Sequence, residues 1–510
     1  MPFLAAGLSG SLNSLTFSQI AGAIGFGLTV CALPGLIRMP GWLAGPYYFL
    51  LNTLAAVVLY VVLVTGDFPN LATCLATLKT DAHEVRETLK ATAWALALAG
   101  GMWSIQLAGC LSFFKKAPVI SLKWPRLRII LLAPLALPIV HPPVAQVYPA
   151  HVAELAFQTS HYHLAVNSVD MSDHYRVTQA HPLAQPELVV FVIGESSRAD
   201  YWQLYGYKEP TTPAMVHRQV AGELIAFPRH MSTASATRFA VPALLSPFAE
   251  LLPTQGRSRP SLVSIMNRAG YETAWLSVQG PLPATAEANQ TTFTGDADVF
   301  DTSQRYDARL LPQAAQWLSA HADKPGFLVL HTAGSHIPYE SRYPAQAARW
   351  HDYEGLEFPK SQTVGNYLNT LLYTDSVLDG VMRQLEKETR PVLLVYVSDH
   401  GELGMEHISR DHAPTNASVL HVPFFVWSNP AWRQARAPQW DALAQVAKSQ
   451  TVTSHFNIVP TLTSVLGIDY EGKPSALDAT SAAFKPWQRT PALRIQTMQR
   501  LDVEPPPRRP

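Results

Sequence analysis

The chain has 510 residues and zero formal net charge, 38 basic against 38 acidic residues, so it lacks the basic excess that holds nucleic acid. It is long enough for more than one domain. Residues 1–150 hold only 13 of the 76 charged residues, so the chain reads as an apolar part and an ordinary soluble part that divide near residue 150.

Four uncharged stretches in the apolar part, 15–37, 43–66, 91–114 and 129–148, approach the ~20 residues that cross a bilayer. The expectation is a transmembrane domain over 1–150 with about four helices. Residues 1–37 carry no Lys or Arg, which argues against the basic n-region of a cleaved signal peptide. Lys115, Lys116, Lys123, Arg126 and Arg128 follow the third stretch with no acid among them, so that loop is expected in the cytoplasm. The loop 67–90 and everything after residue 150 then lie outside. The three cysteines, Cys31, Cys74 and Cys110, all precede the soluble part, which therefore has no disulfide.

Residues 151–185 read as a linker. "ELVVFVIGES" (Glu187–Ser196), "YETAWLSV" (Tyr271–Val278), "GFLVLHTAGSH" (Gly326–His336) and "VLLVYVSDHGE" (Val392–Glu402) read as buried strands, and "VPFFVW" (Val422–Trp427) as a fifth. Helical patterns over 308–321 and 366–387 lie between them. Strands alternating with helices predict an α/β domain over 186–490, a mostly parallel sheet covered by helices on both faces. Residues 491–510, ending "RLDVEPPPRRP", read as a tail.

Ligands of such sheets gather beyond the carboxyl ends of the strands. Three of these strands end in Glu195, in His331 with His336, and in Asp399 with His400. One Asp-His pair after a strand is as well explained by a hydrogen-bonded strand terminus. Several converging pairs make a mixed oxygen and nitrogen site of the kind that takes zinc or manganese. A hydroxyl in "HMSTASATRFAVPALLS" (His230–Ser246) lies before a helical segment, where an alkoxide or a phosphate is favoured. Residue types alone leave open whether Ser235 or Thr237 is a nucleophile or merely caps the helix.

"VVFVIGESSRADYWQLYGYKEPTTP" (Val189–Pro213) resembles the opening of the catalytic domain of bacterial phosphoethanolamine transferases, inner-membrane enzymes of the alkaline phosphatase and sulfatase superfamily. The resemblance continues in order through "STASATRFAVPALLS", "LHTAGSHIPYESRYP", "YVSDHGELGMEHISRDHAP" and "SHFNIVPTLTSVLGI". It implies an alkaline phosphatase-like fold, with Glu195, Thr237, Asp399 and His400 on a zinc ion and Thr237 as the nucleophile. It further implies His331, His336 and His412 around the phosphoryl group. Through "TLKTDAHEVRETL" (Thr77–Leu89) it places Thr80 and Glu84 on the lipid donor. The implied reaction moves phosphoethanolamine from phosphatidylethanolamine to lipopolysaccharide or another periplasmic glycan. The implied location is the inner membrane, with the catalytic domain in the periplasm.

The chain departs from the family at several points. Thr233 and Ala243 stand where the lipid A enzymes have a disulfide beside the nucleophile. Ala76 replaces an Asn of the donor loop, and no Lys follows "TAWLSVQGPLPA". These departures bear on the acceptor, which reads equally as lipid A, a core sugar or another glycan. Rival readings are a sulfatase-like phosphodiester hydrolase, whose Cys/Ser-x-Pro-x-Arg motif "TRFAVP" does not fit, and a catalytically silent membrane sensor, against which the intact site residues argue.

Overall fold

A computed structural model describes residues 33–34, 39–65, 86, 89–90, 92–116, 176–179, 181–249, 261–279, 298–301, 306–351, 353–355, 358–402, 417–494 and 499–508. The chain separates into two compact units that part after His163.

In the first unit, helices α1 (Gly41–Thr65) and α2 (Ala93–Lys116) cover the second and third apolar stretches. They pack through Ala55, Val58, Leu59, Val62 and Ala99, and Tyr60 Oη meets Thr92 Oγ1 at 2.7 Å. Trp42, Phe49, Leu50, Val57, Trp94, Leu96, Leu98 and Ile105 face outward. Apolar side chains on the outside of a helix pair invert the usual arrangement of a water-soluble protein. Among the described residues one segment, Trp42–Val64, is long and apolar enough to cross a membrane. The less apolar α2 carries Gly100, Gly101, Ser104 and Gln106. The four-helix expectation is thus met by one such segment. The first and fourth stretches lie outside the described residues.

The second unit is built on a seven-stranded sheet. In chain order its helices and strands are β1 (Leu188–Gly194), α3 (Pro213–Val220), β2 (Leu224–Ala226), α4 (Thr237–Leu245), α5 (Leu262–Arg268), β3 (Glu272–Ser277), β4 (Asp298–Asp301), α6 (Leu310–Ala320), β5 (Gly326–His331), α7 (Gln362–Leu385), β6 (Val392–Ser398), β7 (Phe424–Ser428), α8 (Ala437–Lys448) and α9 (His455–Val465). Across the sheet the order is β2-β7-β6-β1-β5-β3-β4. The run from β6 to β4 is parallel, whereas β7 is antiparallel to both neighbours. The sheet is therefore mixed, mostly parallel as expected, with one antiparallel strand.

The central strands β6, β1 and β5 are almost wholly apolar because both faces are covered. In β1, Leu188, Val190 and Val192 point to one core, while Val189, Phe191 and Ile193 point to the other. α7 meets the first core with Val364, Tyr367, Leu368, Leu371, Leu378 and Leu385, spaced at helical intervals. α9 meets the second with Ile458, Val459, Leu462 and Val465, and a capping box of Ser454 and Asn457 starts it.

The C-terminal segment read as a tail is structured instead. Strands β8 (Thr490–Arg494) and β9 (Gln499–Val503) pair antiparallel. Ala492 and Val503 join Met231, Leu420 and Val452 in a small core. The Leu493 N–H donates to Thr233 O at 2.7 Å, so this hairpin braces the loop that leads into α4.

Candidate active site and metal centre

Register brings the site together. β1 lies between β6 and β5, with Gly194 opposite Ser398 and Ile193 opposite His331. The next residue on each strand leaves the sheet at the same edge, so Glu195 and Asp399 emerge side by side although 204 positions separate them. Ser196 follows with φ 54, a left-handed conformation that a non-glycine residue adopts at a cost of order 1–3 kcal/mol. The conformation is held from several sides. The Ser196 N–H donates to Asp399 Oδ1 at 3.0 Å, and its hydroxyl donates to Glu195 Oε1 at 2.7 Å. Tyr367 Oη, from α7, donates to Ser196 O at 3.2 Å and accepts from the Arg198 N–H at 2.9 Å. Gly334, at φ 47, presses on Glu195 so closely that a Cβ there would meet Glu195 O at 2.6 Å. Gly401 is required in the same way, since a Cβ would meet Val419 O at 2.9 Å.

Glu195, Asp399 and His400 are buried, with ligand atoms within 4.8 Å of one another. His400 Nδ1 lies 2.8 Å from Gly401 O. Donation to that carbonyl keeps a proton on Nδ1 and turns Nε2 to the cluster as the nitrogen a metal would take. Nε2 stands 3.4 Å from Asp399 Oδ2 and 3.6 Å from Glu195 Oε1. Asp399 Oδ1 accepts the backbone N–H groups of Ser196 and His400, whereas buried Oδ2 accepts no hydrogen bond among the described residues.

Thr237 completes the group. It is the first residue of α4, whose N-cap is Ala236 with no side-chain cap. Its hydroxyl donates to Glu195 Oε2 at 3.0 Å and lies 3.2 Å from His400 Nε2. The helix-cap reading thus fails for Thr237, whose hydroxyl turns to the carboxylate and the imidazole. Ser235 Oγ has no hydrogen-bond partner among the described residues.

The electrostatics follow from burying two carboxylates side by side. Burial and then the Glu195 charge push the Asp399 carboxyl upward. Burial would also raise Glu195, but the charges of His400 and His336 and the Ser196 hydroxyl outweigh it and keep Glu195 ionised. Burial would lower His400, yet Asp399 and Glu195 outweigh it and raise the imidazole to about 9. The cluster thus draws positive charge to itself. A buried carboxylate oxygen without a donor, a second carboxylate, an imidazole nitrogen that can give up its proton and a hydroxyl form a donor set that fits a divalent metal.

The other expected site residues divide. His331, at the end of β5, is buried, lies 3.5 Å from Ser277 Oγ and stands edge-on to Trp275. Burial lowers it to about 4 although the Glu195 charge opposes this, so it is neutral at pH 7. His336 is half-buried, within electrostatic reach of Glu195, with Nδ1 2.7 Å from Ile337 O. His412, Thr80 and Glu84 lie outside the described residues. Two site residues were not singled out in the sequence, Tyr367 and Gln279. Gln279 donates from Nε2 to Glu195 Oε2 at 2.9 Å. It follows an apolar strand just as Glu195 and Asp399 do, and the strand-end rule applied to β3 points to it.

The family model for Sulfatase matches residues 187–468, more than half of the chain, and spans Glu195, Thr237, Asp399 and His400. The chain belongs to the sulfatase family. Within that family it is similar to phosphoethanolamine transferase EptC of Escherichia coli (strain K12), with 26% identity over 324 residues covering 59% of this chain and 54% of that one. The chain thus spans about half the length of the curated relatives it matches. Among solved structures, the membrane protein lipooligosaccharide phosphoethanolamine transferase A of Neisseria meningitidis has a TM-score of 0.66 at 21% identity, covering 95% of this chain and 96% of that one. The C-terminal periplasmic domain of Escherichia coli EptC, solved in complex with Zn, has a TM-score of 0.57 at 22% identity, covering 66% of this chain and 96% of that one. Relatives named as phosphoethanolamine transferases agree with the resemblance drawn from the motifs. The alkaline phosphatase-like fold is shared.

Proposed function

We propose that this sulfatase-family protein is a zinc-dependent phosphoethanolamine transferase of the bacterial inner membrane. The observation that carries the proposal is the placement of Thr237 Oγ1 within hydrogen-bond distance of both Glu195 Oε2 and His400 Nε2 at the start of α4. Glu195, Asp399, His400 and Thr237 would hold the metal, as their donor set allows. Bound zinc would supply Lewis acidity toward a phosphoryl oxygen and the Thr237 hydroxyl.

The chain's own groups do the rest. The Thr237 hydroxyl is aimed by its hydrogen bond to Glu195 Oε2 and gives up its proton to a histidine of the site as Oγ1 attacks phosphorus. The bond from phosphorus to the diacylglycerol oxygen breaks, that oxygen takes a proton, and phosphoethanolamine remains on Thr237. An acceptor hydroxyl or phosphate then attacks the same phosphorus and restores the threonine. The N-terminus of α4 favours the phosphoryl charge. His336 and His412 are assigned to holding that charge or moving protons, and neutral His331 to the same site. Thr80 and Glu84 are assigned to the donor. The outward apolar faces of α1 and α2 support placement in a membrane, which brings the site to phosphatidylethanolamine. The acceptor is a lipopolysaccharide, in lipid A or core, or another periplasmic glycan.

The reaction is tested by mass spectrometry of envelope glycolipids from cells with and without the gene. A phosphoethanolamine increment that needs both the gene and Thr237 supports the proposal, and identical glycolipids refute it. Topology is tested by a reporter fused after residue 160, active only if that residue is periplasmic.

A further inference from the structure

Gln279 lies two residues beyond β3 and is half-buried. Its Nε2 donates to two acceptors, Glu195 Oε2 at 2.9 Å and the Thr332 carbonyl at 2.9 Å. A carboxylate and a carbonyl only accept, so the amide must turn its nitrogen toward both. The backbone beneath it is fixed. The Gln279 N–H donates to Ser277 Oγ at 3.2 Å, and the Ser277 hydroxyl donates to Gln279 O at 3.3 Å. The far anchor is fixed too, because the Thr332 N–H and hydroxyl both donate to Ile193 O at 3.0 Å. One side chain therefore links the ends of β3, β5 and β1.

The two Glu195 oxygens have different partners. Oε1 takes the Ser196 hydroxyl at 2.7 Å. Oε2 takes Gln279 Nε2 and also the Thr237 hydroxyl at 3.0 Å. The terminal torsion of a Glu is broad and roughly two-fold, so a carboxylate without such contacts would sample several orientations. Groups that hydrogen-bond a ligating carboxylate fix its aim, and their loss typically weakens metal binding 10–100-fold.

We propose that Gln279 is a positioning residue of the metal centre: its amide, anchored on the Thr332 carbonyl, holds the Glu195 carboxylate toward Thr237 and His400. The inference rests on the reading of Glu195, Asp399 and His400 as metal ligands. It adds a residue from a fourth loop of the sheet edge and gives the end of β3 a part in the site.

The test measures zinc affinity of the full chain in detergent by competition with a chelator. Wild type, Gln279→Met, Gln279→Ala and Asp399→Ala are compared, together with the melting temperature of each metal-free protein. Gln279→Met keeps the length and volume of the side chain and deletes the donor. Both Gln279 variants should bind zinc about 10- to 100-fold more weakly. Their metal-free melting temperatures should stay within about 2 °C of wild type, because the side chain is only half-buried. Wild-type affinity in both Gln279 variants overturns the proposal while leaving the metal reading intact, provided that Asp399→Ala loses zinc. A fall in affinity that tracks a fall in metal-free melting temperature also overturns it, since the effect is then one of folding. Zinc bound equally by wild type and Asp399→Ala contradicts the metal reading, and Gln279 falls with it.

Discussion

The backbone N–H of Ser196 donates to Asp399 Oδ1 at 3.0 Å, joining the ends of two neighbouring parallel strands. Through that bond the conformation of one strand end sets the aim of the carboxylate on the other. It leaves Asp399 Oδ2 free of hydrogen bonds among the described residues and facing His400 Nε2 at 3.4 Å. The centre is thus a property of sheet register more than of any single loop.

Removing one ligand should remove the metal. Asp399→Ala and His400→Ala each take away one of three clustered donors, and a site with so few protein ligands tolerates no such loss. Elemental analysis of the purified proteins should find zinc in the wild type and little in either variant. Equal zinc in all three would contradict the assignment.

Tyr367→Phe should damage the site from beneath it. The lost hydroxyl serves Ser196 O and the Arg198 N–H, both buried. Leaving a buried polar group unpaired costs about 1–3 kcal/mol. The variant should melt several degrees lower and turn over about tenfold more slowly, because the Ser196 conformation that orients Glu195 and Asp399 loses one of its braces. Unchanged turnover would show that the loop needs no such brace.

Asp375 supplies a pH dependence away from the metal. From α7 it accepts the N–H groups of Ala214 and Met215 at 2.9 and 3.0 Å, at the start of α3. Burial pushes its carboxyl up to about 7, and the Asp379 charge adds to the rise, against these two N–H groups and the Arg218 charge. A folded-state value above the unfolded one gives stability that is complete below about pH 4 and is lost as pH rises through about 7. From pH 5 to pH 8 the melting temperature of wild type should therefore fall relative to Asp375→Asn, by about 5 °C. Parallel profiles for the two proteins would contradict this.

The sheet core was legible because Leu188–Gly194, Gly326–His331 and Val392–Ser398 are almost wholly apolar runs, and Glu272–Ser277 carries Ala274, Trp275 and Leu276 at its centre. The edge strands Leu224–Ala226 and Asp298–Asp301 are too short to stand out from loops. The reversed direction of Phe424–Ser428 leaves no trace in residue type. In the C-terminal hairpin the proline- and arginine-rich end hid Ala492, Leu493 and Val503, whose burial depends on partners far earlier in the chain.

At the site, Glu195, Asp399 and His400 could be found because each ends an apolar run. Thr237 could be separated from Ser235 only by resemblance or by geometry. The left-handed Ser196 and the amide of Gln279 look like ordinary loop residues until the strands around them are assembled.

The most direct test of the account is covalent. The protein is incubated with phosphatidylethanolamine and no acceptor, digested, and the peptide spanning residues 230–246 is weighed and fragmented. A phosphoethanolamine mass on Thr237 is expected, absent from Thr237→Ala, with diacylglycerol release lost in that variant. Phosphoethanolamine on Ser235, or undiminished diacylglycerol release by Thr237→Ala, would contradict Thr237 as the nucleophile.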